Sequence, residues 1–264
     1  MKKNLICFIS HVINNEIVDL FKEISLGIPE DSDIIFISPT SLDKRSDFSK
    51  ILEITSGVTN LYLEKTEENL IDQNTYTFRS QLIFKNIYKL FPGYEYYYLI
   101  EYDVRFNGDW GYLFQSLNLL TEDLVCSHLS HYNNIYEAGP YPRWKLRKMF
   151  SKDDRLIIDE FGKITEDLCF SFLPFCRLSN RLMRVVNNYY KTFDGFFEIV
   201  IPTLCIKNNF SSIDLDSLGF TCPPLEEMEN YHFKCNSGSM SWYEEDKTVY
   251  EKPNILIHPV KPVF

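Results

Sequence analysis

Short apolar runs alternate with helical periodicity over the first hundred residues. LICFIS at 5–10 and DIIFIS at 33–38 are apolar at successive positions and bounded by polar residues, the pattern of strands covered on both faces. Between them, Ile17, Leu20, Phe21 and Ile24 recur at helical spacing within residues 16–26. NLYLE at 60–64 reads as a third strand, and 45–54 as a short helix. Residues 77–91 carry Phe78, Leu82, Ile83, Ile87, Leu90 and Phe91 on one face and stop at Pro92-Gly93, a helix with its terminator. That helix leads directly into the apolar run YYYLIEYDV at 96–104.

Beyond this point the pattern loosens. Residues 109–120 read as a helix and DLVCSH at 123–128 as a strand. Residues 133–142 are polar with Gly and Pro, a loop. CFSFLPFCRLS at 169–179 is an apolar strand, and 180–191 a helix with Leu182, Val185, Val186 and Tyr189 in register. FFEIVIPTLCIKN reads as a packed helix despite Pro202. Residues 212–216 suit a short strand, and ILIHPVKP at 255–262 a last one. No repeat, low-complexity linker or composition break divides the chain, so a single domain is expected.

Two-sided apolar strands alternating with amphipathic helices predict an α/β fold: a mostly parallel, Rossmann-like central sheet flanked by helices. In such sheets ligands collect at the carboxyl ends of the strands. His11, residues 38–40 and the acids Glu101 and Asp103 all fall at such ends and are expected around one cleft.

Composition narrows the partners. The 264 residues carry a formal net charge of −10, against the cationic footprint that a nucleic acid requires. RWKLRK at 143–148 is a local exception, either a solvated basic face or a contact for anionic lipid or a phosphate-bearing acceptor. The 7 cysteines are odd in number, form no CxxC pair and sit mostly in apolar runs, which suits a reducing compartment and argues against both a disulfide framework and a thiolate zinc site. The apolar part of MKKNLICFIS is too short for a signal peptide, and no run reaches the ~18 residues of a membrane span. A cytoplasmic protein is expected, with peripheral contact at a membrane face left open. GxxxxGK[ST], GxGxxG and GxSxG motifs are absent.

Glu101 and Asp103 are the first candidates for chemistry. Residues two apart on an extended strand point to one side, and paired carboxylates repel unless a cation lies between them or one keeps its proton. Oxygen ligands at a strand end suit Mg²⁺ or Mn²⁺, with phosphate oxygens completing the shell. Spacing alone leaves a second reading open, that the strand has simply reached solvent. Glu198 is a lone acid at the start of an apolar helix: a general base whose pKa burial raises, or a salt-bridged acid in a first turn. Asp194, Glu166 and Asp167 are its rivals for the base. Arg177 and Ser179 lie at a strand end where an acceptor could bind, and NSGSMS at 236–241 is either a closing loop or an ordinary one.

The run YYYLIEYDVRFNGDW resembles the variant DxD region of GT-A glycosyltransferases, in which a strand ends in two acids that hold a divalent metal against the diphosphate of a nucleotide-sugar. It is similar to an E-Y-D-V-R-x-x-G-x-W signature, matched by Glu101, Tyr102, Asp103, Val104, Arg105, Gly108 and Trp110, with Glu in place of the first Asp. The resemblance is strongest over residues 77–110. It implies a GT-A-like fold in which about 1–127 bind the nucleotide-sugar, while about 128–264 form the acceptor half and a closing tail.

The same resemblance implies roles for single residues. Glu101, Asp103 and His258 would hold Mn²⁺ or Mg²⁺, and Lys261 would touch the diphosphate; from the residues alone, IHPVK also reads as a surface histidine beside a proline turn. Glu198 would be the base if configuration inverts. The donor would be a UDP-sugar and the acceptor a saccharide or glycolipid of bacterial-type surface polysaccharide assembly. Apart from the resemblance, His11, Arg79 and Gln81 are candidates to frame the nucleotide, with a plain surface charge the other reading of Arg79. Trp110 reads as a core residue rather than a sugar platform. Two rivals remain open: a nucleotidyltransferase on the same fold, and a non-catalytic carbohydrate-binding protein. The first would be expected to carry a glycine- and basic-rich loop after strand one, and HVINNEIVDLF has no glycine and no basic residue between His11 and Phe21.

Overall fold

The computed structural model describes residues 3–10, 14–38, 61–62, 83–84, 86–131, 169–189, 197–221 and 252–260. The expected class is present, a mostly parallel central sheet flanked by helices. Seven strands lie in the order β3-β2-β1-β4-β7-β6-β8. They are β1 (Asn4–Ile9), β2 (Ser32–Ser38), β3 (Leu61–Tyr62), β4 (Tyr96–Glu101), β6 (Leu124–His131), β7 (Cys169–Ser179) and β8 (Ser212–Asp214). β1, β2, β3 and β4 pair in parallel, β7 runs antiparallel between β4 and β6, and β6 pairs β8 in parallel. A second, two-stranded sheet joins β5 (Arg105–Phe106) to β9 (Leu256–Ile257).

Strand pleat assigns the faces. Phe8 of β1 meets Phe21 of α1 (Asn15–Gly27), and Tyr98 of β4 meets Phe114 of α2 (Trp110–Asn118), so α1 and α2 cover one face. Tyr97 points the other way, against Tyr88 of the helical segment 86–90. Phe84 just before that segment meets Phe197 of α4 (Phe197–Lys207), which packs against α3 (Asn180–Tyr189). Coverage on both sides is why β1 and β4 read as uninterrupted apolar runs. α4 is buried from Phe197 to Cys205 with no polar stripe, which explains its lack of amphipathic periodicity. Pro202 lies inside it, where it forfeits one helical hydrogen bond.

Local chemistry sets the element ends. Asn14 caps α1 by accepting from the Ile17 amide at 2.9 Å. Asp109 caps α2 by accepting from the Gly111 amide at 2.7 Å. The two helices meet at Gly27, where a Cβ would fall 2.7 Å from the Gly111 nitrogen. Trp110 is buried against Phe106, Phe114 and Phe175, a core residue as expected.

The expected helix at 45–54, loop at 133–142, basic run at 143–148 and loop at 236–241 lie outside the described residues, as do the first turns of the helix expected from 77.

Candidate metal centre

β4 ends at Glu101, and the chain turns at once. The Val104 amide donates to the Glu101 carbonyl at 3.0 Å, and the Tyr102 amide to the Ile9 carbonyl at 2.9 Å. Glu101 and Asp103 are therefore brought together by a turn, not by the pleat of an extended strand. Arg105 locks that turn. Its guanidinium donates to the carbonyls of Tyr102 at 2.8 Å and Val104 at 3.1 Å, and to Glu16 of α1 at 2.7 Å. The arginine of the E-Y-D-V-R run thus holds the backbone around the acids.

β5 follows and pairs antiparallel with β9, placing Arg105 opposite Ile257 and Phe106 opposite Leu256. His258 comes directly after β9, so the pairing delivers it to the acidic turn. Its Nε2 lies 3.3 Å from Asp103 Oδ1 and 3.6 Å from Glu101 Oε2. One ligand atom from each of Glu101, Asp103 and His258 falls within 4.8 Å of the others. Asp103 is buried, Glu101 is partly exposed, and the His258 ring packs edge-on against Phe172 with centroids 5.2 Å apart.

The set fits a hard divalent cation. Bonds of about 2.1 Å around an octahedral ion put adjacent ligand atoms roughly 3 Å apart, so the two imidazole–carboxylate spacings need only a small contraction. Two carboxylates and an imidazole suit Mn²⁺ or Mg²⁺ by donor chemistry, and Glu101 faces solvent where further ligands can enter. Without an ion, His258 takes the positive role. Burial alone would lower its pKa, but hydrogen bonds to Asp103 and Glu101 and their charges outweigh it and push the imidazole up to about 9.

Glu198 lies in the first turn of α4 and is buried. Its Oε1 accepts from the Leu173 amide at 3.5 Å, next to the Phe172 that touches His258. The Cys176 thiol is pushed well above its ordinary range, first by burial and then by the charges of Glu101 and Glu198. Both acids therefore act on one thiol, on the sheet face that α4 covers.

No family model matches the sequence, and no curated protein matches it. Solved structures resemble the chain at low identity. The mannosyltransferase Ktr4p from S. cerevisiae, in complex with GDP, is 12% identical over 72% of this chain and 60% of its own, with a TM-score of 0.41. Glucosyl-3-phosphoglycerate synthase from Mycobacterium tuberculosis, in complex with Mn²⁺ and uridine-diphosphate-glucose, is 13% identical over 88% and 76%, with a TM-score of 0.44. The glycosyltransferase GlyE of Streptococcus pneumoniae is 13% identical over 84% and 47%, with a TM-score of 0.40. The chain spans less than two thirds of the first and third of these proteins. At TM-scores of this size the superpositions are loose.

The remaining expected residues divide in two. His11, Arg79, Gln81 and Lys261 lie outside the described residues. Arg177 and Ser179 are described and sit at the wrong end for an acceptor site. β7 runs antiparallel, so its carboxyl end lies beside the start of β4, with Ser179 opposite Tyr96. Arg177 is fully buried, donates to the Leu117 carbonyl and to the Glu122 carbonyl at 3.0 Å, and lies over the Tyr96 ring at 4.3 Å. Ser179 donates to Asp123 Oδ1 at 2.6 Å. Both brace the sheet at the end away from the acids.

Sequence reasoning passed over His128 and Asp216. His128 Nδ1 lies 3.2 Å from Asp216 Oδ2, and its ring stacks on Phe172 at 6.3 Å between centroids. His128 closes DLVCSH as Glu101 closes YYYLIE, and that shared placement at the end of an apolar run was the available signal.

Proposed function

We propose that the protein is a glycosyltransferase that moves a sugar from a nucleoside-diphosphate sugar, by preference a UDP-sugar, to a hydroxyl acceptor. The observation that carries the reading is the meeting of Glu101, Asp103 and His258, two segments far apart in sequence, at the carboxyl end of a central parallel strand. An acid pair that had merely reached solvent would not be met by a buried imidazole.

In this reading Glu101, Asp103 and His258 hold Mn²⁺ or Mg²⁺. When bound, the cation offsets charge on the diphosphate leaving group. Lys261, close behind His258 in sequence, contacts the diphosphate, and His11 and Arg79 frame the nucleotide. The bond from the anomeric carbon to the diphosphate oxygen breaks as an acceptor oxygen bonds to that carbon. With inversion, Glu198 takes the acceptor proton; its buried carboxylate sits where water is scarce. About 1–127 form the donor half, and about 128–264 the acceptor half with its closing tail.

The acceptor is a saccharide or glycolipid, and the setting is bacterial-type surface polysaccharide assembly at the cytoplasmic face of a membrane. No helix among the described residues is long and apolar enough to cross a membrane.

A thermal-shift panel of nucleotide-sugars with and without Mn²⁺ tests the reading. The expected result is stabilisation by one nucleotide class that requires the ion and disappears in Asp103→Ala. Stabilisation by no nucleotide, or donor turnover unchanged in Asp103→Ala, would overturn it.

A further inference from the structure

Among the described residues, the segment that carries His258 is bonded repeatedly to residues just after the acidic turn. Asn107 bonds to it three times. Its amide donates to the Ile255 carbonyl at 2.9 Å, its carbonyl accepts from the Asn254 amide at 2.6 Å, and its side-chain amide donates to the Lys252 carbonyl at 2.6 Å. Gly108 lies hard against the same loop. A Cβ there would fall 2.5 Å from Asn254 Oδ1 and 2.9 Å from the Phe106 ring. Asn254 itself has φ +60°, the left-handed region that Asn and Gly occupy most readily. Further along, the Leu256 amide donates to the Phe220 carbonyl and the Val260 amide to the Asp103 carbonyl, both at 2.8 Å.

A two-residue strand paired, among the described residues, with one other two-residue strand is too short to hold its own register. The bonds from Asn107 and the close approach at Gly108 supply what β9 lacks. We infer that Asn107, Gly108 and Asn254 form a clasp that positions His258 and so sets the metal affinity of the site. The inference rests on the metal reading above. None of the three belongs to the ligand set; each acts through the backbone that carries the imidazole. The carboxylates stand on one turn, and docking of the tail turns binding of a third, separate ligand into an intramolecular event. The coupling is reciprocal: an ion bound to His258 and the two acids ties the tail to the turn.

The test is a Mn²⁺ titration of the full chain, followed by the spin-resonance signal of the unbound ion and paired with amide hydrogen exchange over 252–260. Gly108→Ala is expected to weaken Mn²⁺ binding at least tenfold and to speed exchange at Asn254, Leu256 and Val260 in the metal-free protein. The double variant Gly108→Ala with Asn254→Gly removes the Oδ1 contact and should recover part of the lost affinity, a rescue that general destabilisation would not give. Asn107→Ala introduces no clash; it should lower affinity several-fold, and it carries the test if Gly108→Ala does not fold. In the wild type, Mn²⁺ should slow exchange of the tail. Mn²⁺ affinity unchanged in Asn107→Ala and in folded Gly108→Ala overturns the clasp and leaves the metal reading standing. A wild-type chain that binds no Mn²⁺ overturns both.

Discussion

The Val260 amide donates to the Asp103 carbonyl at 2.8 Å, so the tail that carries His258 is bonded to the backbone of the very residue whose side chain His258 faces. Main chain and side chain thus fix one register twice. The distant acid and imidazole meet because the backbone leaves them little alternative.

The three proposed ligands should not be equal. Asp103 is buried, whereas Glu101 is open enough for a water to take its place. Asp103→Asn and His258→Ala are each expected to lower Mn²⁺ affinity by on the order of 100-fold, at or above what even an outer-sphere partner commands. Glu101→Gln should cost roughly tenfold. Titration calorimetry with Mn²⁺ ranks the three.

Glu198→Gln preserves an acceptor for the Leu173 amide, so the fold should survive. If the reaction inverts, kcat is expected to fall about 10²- to 10⁴-fold while nucleotide-sugar binding stays unchanged. Single-turnover transfer alongside a donor-binding isotherm separates the two quantities.

At the opposite end of the sheet, Arg177 should matter to stability alone. Arg177→Met keeps the stem volume and strips the bonds from the buried Leu117 carbonyl and the partly buried Glu122 carbonyl. A loss of about 2–3 kcal/mol is expected in urea unfolding, with Mn²⁺ affinity of the folded protein unchanged.

Asp123 predicts the acid limb of the stability curve. Burial by itself would raise its carboxyl, but hydrogen bonds from Arg181, Ser179 and the Ser211 amide, with the Arg181 charge, hold it below the ordinary value of 3.8. A carboxyl lowered on folding adds stability that is complete above its unfolded pKa and drains away as pH falls through the folded one. Asp123→Ala should therefore lose about 2–3 kcal/mol at pH 7 and show a flatter decline below pH 4. Urea midpoints across that range measure both.

Most elements were legible because burial writes itself into residue order. The central stretches of β1, β2 and β4 (5–9, 34–37 and 96–100) are unbroken apolar runs since both faces are covered, and α1 shows its stripe because only one side is. β5 was not anticipated: two residues carry no period. Arg177 and Ser179 were assigned to the wrong end for a related reason. An apolar run looks the same whichever way its strand runs, and β7 reverses against both of its neighbours, β4 and β6.

The sequence by itself determined the α/β class and the apolar strand that runs into Glu101, since local pattern encodes both, while His258 entered through the family resemblance. It could not determine that the acids meet across a turn, or that Arg105, Asn107 and Gly108 serve the backbone around them. Only the tertiary structure decided that His258 comes home to Asp103. The pairing of β5 with β9 joins residues about 150 positions apart, and a contact between two-residue strands leaves no periodic trace in either.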